Sequence, residues 1–275
     1  MGFSSLLTTC RYLLYSGAGN SFVLGESRPS LEDVLFLCQK EMVDGFLCVE
    51  PSDIADAKLT IFNSDGSVAS MCGNGVRCAM AHVAQCFGLE DVSIETDRGV
   101  YRGKFFSMSR VLVNMTLPDW KKARRKLTHV LPGMPEDVFF IDTGVPHVVV
   151  FVPDPNKIPI HEWGAFIRYH EDFSPEGVNV DFVQRKKDDL LLVYTYERGC
   201  ERETLSCGTG MLASALVAAD IFSLGQDFSL SVCSRSGNIV KIFSENEQVF
   251  LEGPVCLLNR SENIGWLTPR SKCSR

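Results

Sequence analysis

Two stretches decide the fold: Met71-Cys72-Gly73-Asn74-Gly75, followed by Val76 to Phe87, and Ser206-Cys207-Gly208-Thr209-Gly210, followed by Met211 to Phe222. Each reads C-G-x-G and then a helical stretch. The cysteines are 135 residues apart. Downstream, Ser93-Ile94-Glu95-Thr96-Asp97-Arg98-Gly99 resembles Ser231-Val232-Cys233-Ser234-Arg235-Ser236-Gly237, with the glycines 138 residues apart. The kept spacing implies two similar halves, since solenoid repeats have periods of about 20–50 residues. In the first helix Val76, Ala79, Met80, Val83, Ala84 and Phe87 form an apolar stripe, which Cys78, Ala81 and Cys86 widen. The second, from Met211 to Ala219, has almost no polar face, and a helix apolar all round is a buried helix.

Short segments of strand character surround both helices. Arg110 to Leu117 alternates, and Lys58 to Phe62, Phe139 to Asp142, Leu190 to Tyr196, Phe228 to Cys233 and Val249 to Glu252 read similarly. Glu32 to Gln39 reads as a peripheral helix with Ser30 as its N-cap. The expected architecture is α/β (α+β). Two domains related by internal duplication each wrap a curved mixed sheet, or barrel, around one buried helix, with the active site in the cleft between them. Pro118 and the basic stretch Lys121 to Lys126 mark the first boundary. The expected halves are residues 1–117 plus 264–275, and residues 118–263.

Gly-Asn-Gly and Gly-Thr-Gly suit tight helix starts rather than helix interiors. A helix start leaves backbone N–H groups unpaired, and with the helix dipole they form an anion site suited to a carboxylate. A cysteine there is expected to have a stabilised thiolate and a lowered pKa. If the halves face each other, one carboxylate sits between two helix starts with a thiol on each side. Inverting a carbon next to a carboxylate needs a proton removed from one face and returned to the other, which opposed thiolate and thiol can do. Fixed N–H donors on the carboxylate favour the charge that develops. A lone buried cysteine is usually structural. Two in matching positions carry the functional reading of Cys72 and Cys207.

Composition removes other classes. The chain has 275 residues, 45% apolar and 22% charged, which is ordinary globular usage. A net charge of −7 argues against general nucleic-acid binding. No run approaches the roughly 18 apolar residues of a membrane span, and no secretory signal is visible. Eleven cysteines, an odd number, without an export signal fit reduced thiols in a cytoplasmic protein rather than a disulfide framework. Cys72, Cys78 and His82 lack a usual zinc spacing, so no metal ligands are expected. Gly17-Ala18-Gly19-Asn20-Ser21-Phe22 lacks the third glycine and following helix of a dinucleotide site. No cofactor is expected.

At these residues the sequence resembles diaminopimelate epimerase, a pyridoxal-independent family, in order along nearly the whole chain. Gly17 to Phe22 is similar to G-x-G-N-D-F. Phe62-Asn63-Ser64-Asp65-Gly66-Ser67 leads into the first cysteine motif, Met71 to Cys78. Gly144-Val145-Pro146-His147 is similar to G-N-P-H, and Tyr196-Glu197-Arg198-Gly199 with Glu203 to Gly210 resembles the second cysteine motif. The resemblance implies that Cys72 and Cys207 are the acid/base pair, with His147 and Glu197 assisting the thiols or holding the substrate amine. It implies that Asn20, Asn63, Asn74, Asn179 and Arg198 bind substrate polar groups. Gly73, Asn74, Gly208 and Thr209 would offer backbone N–H groups to the reacting carboxylate. It implies interconversion of LL- and meso-diaminopimelate by two-base proton transfer at Cα, on the way to lysine and peptidoglycan. A small amino acid is the expected partner, and a homodimer is left open.

Four departures from the family pattern bear on specificity. Ser21 replaces an Asp, and the loop at Glu41 to Gly45 has lost most of its glycines. Val145 replaces an Asn that holds the substrate's distal end, and Cys200-Glu201-Arg202 is one residue longer than usual. They leave room for relaxed specificity. Competing readings are a pyridoxal-independent racemase of glutamate, aspartate or proline type, a cysteine hydrolase using one thiol with His147 and Glu197, and a silent ligand-binding module. The duplicated thiol argues against the last two.

Overall fold

The computed structural model describes residues 12–69, 71–115, 125–126, 131, 133–135, 138–186 and 189–260. The first half runs β1 (Leu13–Gly17), β2 (Asn20–Gly25), α1 (Leu31–Glu41), β3 (Gly45–Glu50), β4 (Ala57–Asn63), β5 (Val68–Ala69), α2 (Gly73–Phe87), β6 (Asp91–Thr96), β7 (Gly99–Ser107) and β8 (Arg110–Met115). A two-residue strand, β9 (Arg125–Lys126), follows. The second half runs β10 (Val138–Asp142), β11 (Pro146–Phe151), α3 (Ile160–Arg168), β12 (Asn179–Arg185), β13 (Leu190–Glu197), β14 (Arg202–Thr204), α4 (Gly208–Ile221), β15 (Ser229–Ser234), β16 (Ile239–Glu245) and β17 (Gln248–Gly253), and β18 (Val255–Arg260) closes the described chain.

Strand pairing repeats the duplication. In the first half β1–β2 is antiparallel, β2–β3 parallel, β3–β4 antiparallel, β4–β6 parallel, and β6–β7 and β7–β8 antiparallel. The second half follows the same sequence of senses from β10–β11 to β16–β17, with β14 added to β13 as β5 is to β4. The parallel pairs are bridged by α1 and α3 at one step and by α2 and α4 at the other, as parallel strands require. β8 pairs with β17 across the halves, and β18 returns to pair with β1. The mixed α/β, duplicated architecture expected from the two cysteine stretches is the one observed.

Burial explains why the inner helices tolerate so little polarity. Every residue of α2 from Gly73 to Ala84 is buried, as is every residue of α4 from Gly208 to Ala219. Both join one core with Leu47, Ile94, Val111, Leu191, Val232 and Leu251 from the surrounding strands. On the outer faces, α1 packs Val34 and Leu37 over Val23 and Phe46, and α3 packs Ile167 over Val148, Val180 and Phe182. Ser30 caps α1 through a capping box with Asp33, as its sequence suggests. The inner helices start one turn earlier than their apolar stripes, on the glycines themselves. Gly210 admits α4 against β12, since a side chain there would run into the Asp181 carboxylate. The Arg110 strand is described only to Met115. Pro118, Lys121 to Arg124 and residues 264–275 lie outside the described residues. Among the described residues no helix is long and apolar enough to cross a membrane.

Candidate active site

Cys72 and Cys207 are the N-cap residues of α2 and α4, both in extended backbone conformation. The two helix starts meet. A Cβ built on Gly208 would lie 3.2 Å from Asn74 Oδ1 and 3.3 Å from the Asn74 backbone nitrogen. Asn74 is wholly buried, and its Nδ2 donates to Asn20 Oδ1 and, at 3.3 Å, to Ser206 Oγ. One amide side chain therefore ties the β1–β2 turn, the start of α2 and the start of α4 together. Arg77, also wholly buried, donates to Asn74 Oδ1 at 2.7 Å and fixes the amide's orientation. Among the described residues the Arg77 Nε and Nη1 atoms have no hydrogen-bond partner. A desolvated cation thus lies beneath the start of α2.

The two thiols have different surroundings. Cys72 Sγ accepts from the Gly75 N–H at 3.4 Å and so caps its own helix. Cys207 makes no such cap; its Sγ lies 3.4 Å from Thr209 Oγ1. Thr209 Oγ1 is 3.0 Å from His147 Nε2, and His147 Nδ1 is 2.8 Å from Asp181 Oδ2. Asp181 Oδ1 accepts from Thr195 Oγ1 at 2.7 Å. A carboxylate only accepts, so Nδ1 carries the hydrogen and Nε2 is the acceptor. Thr209 then donates to Nε2 and can accept the proton of Cys207. The strand register builds this chain: His147 is paired with Asn179 in the parallel β11–β12 ladder, and Asp181 lies two residues on, on the same face. Both His147 and Asp181 are wholly buried.

Helix starts were expected to lower the thiol pKa values, and the structure corrects this. Burial pushes Cys72 up to about 11, against the lowering effect of the Gly75 and Asn74 N–H groups. Burial raises Cys207 well above its ordinary value, and the Glu197 and Asp181 charges add to the rise. For both thiols desolvation outweighs the N–H donors. Glu197 acts on both thiols, and burial raises its own carboxyl pKa.

Of the remaining expected residues, Asn179 Nδ2 lies 3.5 Å from His147 Nε2, while its Oδ1 accepts from the Arg198 N–H at 2.8 Å. Gly73 occupies the first turn of α2, where a Cβ would press on Leu251. Asn63 is not drawn into the Asn74 cluster; it closes its own turn through Ser67 Oγ at 2.9 Å. Arg198 Nη1 donates to the Glu176 and Gly177 carbonyls. Sequence reading missed Asp181, Ser206, Arg77 and the hydroxyl role of Thr209. A carboxylate between Val180 and Phe182 in a buried strand was the available signal for Asp181. Two departures also fall on each other: Asp44 Oδ2 accepts from the Ser21 N–H at 2.8 Å and from Ser21 Oγ at 3.3 Å.

The family model for diaminopimelate epimerase matches residues 13–120 and 139–258. The chain belongs to the diaminopimelate epimerase family. It is an isomerase by that membership. It is 87% identical over 272 residues to a diaminopimelate epimerase of Chlamydia trachomatis serovar L2, covering 99% of each chain. It is 81% identical over 269 residues to one from Chlamydia muridarum, covering 98% of this chain and all of that one. A hydroxyproline epimerase from Agrobacterium vitis, solved with bound trans-4-hydroxy-L-proline, shares the fold with a TM-score of 0.69 at 14% identity, over 92% of this chain and 91% of that one.

Proposed function

We propose that the chain interconverts LL- and meso-diaminopimelate by moving one proton at Cα between two thiols. The observation that carries this reading is the meeting of two helix starts, one from each half, each with a cysteine at its N-cap position. The substrate carboxylate would lie across the N–H groups of Gly73, Asn74, Gly208 and Thr209, where two helix dipoles favour negative charge. One cysteine, as thiolate, takes the Cα proton, and the electron pair left behind spreads into the carboxylate. The other, as thiol, returns a proton to the opposite face. The carbon is inverted and the thiols have exchanged protonation states. No external oxidant or cofactor is needed for the balance.

The two thiols reset differently. Cys207 can pass its proton through Thr209 to His147, whose charge Asp181 then stabilises. Cys72 has its capping N–H donors and the Arg77 charge to favour its anion. Binding of substrate displaces water and brings a fixed ammonium group to the site, which offsets the desolvation that holds both thiols neutral. Glu197 would hold that ammonium, whose charge would favour the carboxylate against the burial that opposes it. A hydrolase reading finds less support, because a hydroxyl stands between Cys207 and the imidazole.

The division into 1–117 plus 264–275 and 118–263 is proposed with it, and the pairing of β18 with β1 draws the return to the first half back to Val255. The nine described cysteines are free thiols, which fits a reducing, cytoplasmic setting. A homodimer remains part of the proposal. The test is proton NMR in heavy water with LL-diaminopimelate. The expected result is meso isomer accumulating with one deuterium at each inverted Cα; folded protein that produces neither inversion nor exchange overturns the proposal.

A further inference from the structure

Far from the thiols, α2 carries a second cluster. His82 and Cys86 are four residues apart on one helical face, and Glu26 reaches them from the end of β2. His82 Nε2 lies 3.2 Å from Glu26 Oε1 and 3.7 Å from Cys86 Sγ. One nitrogen, one sulfur and one oxygen ligand atom all lie within 4.8 Å of one another. Tetrahedral zinc with bonds of about 2.0–2.3 Å separates N from O by roughly 3.4 Å and N from S by roughly 3.6 Å. Two of the three separations, N to O and N to S, are therefore close to tetrahedral edges. Cys86 Sγ also lies 3.9 Å from Nδ1, so it must swing toward the Nε2 side to share an ion. The other ring nitrogen, Nδ1, lies 3.4 Å from Tyr15 Oη, a buried phenol placed to accept its hydrogen. Such outer partners orient metal-bound histidines.

The surroundings favour a cation. His82 is 1% exposed, while Glu26 and Cys86 are half-buried, which leaves a route from solvent. A thiolate and a carboxylate together would neutralise a dication. We propose that Glu26, His82 and Cys86 form a site for a borderline-soft divalent cation of the zinc class, with a water as fourth ligand. The expectation of no metal ligands came from the chain spacing of Cys72, Cys78 and His82. Folding instead joins His82 to a residue 56 positions away, which no linear motif displays. His82 is ten residues beyond Cys72, about 15 Å along the helix. The ion takes no part in proton transfer; it clamps the far end of the helix that carries Cys72 to β2.

The experiment uses the full chain with Cys72→Ala and Cys207→Ala, so that the reacting thiols cannot bind metal. Anaerobic titration with Co(II) should give one equivalent with a thiolate-to-cobalt charge-transfer band in the near ultraviolet, displaced by Zn(II). Cys86→Ser should lose the band. Tyr15→Phe, removing only the outer contact, should weaken Zn(II) binding about 10–100-fold. Zn(II) should also raise the Tm of the Cys86-containing protein and not of Cys86→Ser. Glu26→Gln, nearer solvent, should fold in any case and bind Zn(II) more weakly. Absence of the band, or a band that survives Cys86→Ser, or unchanged Zn(II) affinity in Glu26→Gln, overturns the proposal.

Discussion

The starts of α2 and α4 descend from one repeat, yet they surround their thiols differently. Cys72 caps its own helix, and beneath it lies a buried arginine. Cys207 leaves its helix uncapped and faces a hydroxyl, an imidazole and a carboxylate in series. The duplication supplied two matching cysteines, the proposed acid/base pair. Cys72 accepts from its own helix, and Cys207 faces the hydroxyl–imidazole–carboxylate series proposed as a proton path. An epimerase needs both thiols in every turnover but needs only one route by which protons equilibrate with the surroundings.

The comparison can be broken most severely by removing either sulfur. Cys72→Ala and Cys207→Ala should each slow stereoisomer interconversion by at least about 10²–10⁴-fold, the usual contribution of a proton-transfer group. Chiral chromatography of the products reads this directly, and near-normal turnover in either variant would contradict the two-thiol account.

Thr209→Val sharpens the difference, because it keeps the shape of the side chain and cuts the Cys207 path alone. The expected loss in kcat is about ten- to a hundredfold, equivalent to roughly 1.5–3 kcal/mol for one hydrogen bond to a charged group. Thr209→Ser should restore most of it. Equal activity of the Val and Ser variants would reduce Thr209 to its backbone N–H.

On the α2 side the corresponding change is Asn74→Ala. It leaves Arg77 buried without its described acceptor and unties α2 from Ser206. A stability loss of about 1–3 kcal/mol in urea unfolding is expected. Ser206→Ala, which removes one weak contact, should cost less. Equal costs would mean that Asn74 matters only through its link to α4.

The smallest effect concerns the rim rather than the starts. Val145 offers no side-chain hydrogen bond to a substrate's distal end, and Ser21 is tied to Asp44 in the neighbouring loop. Deuterium incorporation at Cα of glutamate, aspartate and lysine should be slow but detectable, and should vanish in the Cys72→Ala and Cys207→Ala variants. Exchange confined to diaminopimelate would show that the loop restores the lost contact.

Much of this was legible in the chain. The repeat around Cys72 and Cys207, the apolar α4 and the strand alternation follow from period and local chemistry, which survive in a linear string. Ser30 as a cap was legible for the same reason. What was hidden depends on register. Asp181 meets His147 only because β11 and β12 run parallel with His147 opposite Asn179. Asn63 belongs by motif to the substrate contacts, but a local Ser67 hydroxyl satisfies its side chain. The thiol pKa values were misread because helix starts are local and desolvation is not: burial by the surrounding chain raises them.

The central claim is that the His147 chain serves Cys207 and leaves Cys72 alone. Alkylation by iodoacetamide, followed cysteine by cysteine with peptide mass spectrometry across pH, measures each thiolate separately. Raised thiol pKa values mean that reactivity climbs with pH, with Cys72 turning on near pH 11 and Cys207 also well above the ordinary thiol range. In Thr209→Val the Cys207 profile should move while the Cys72 profile stays in place. A shift of both profiles together, or of neither, would contradict the account.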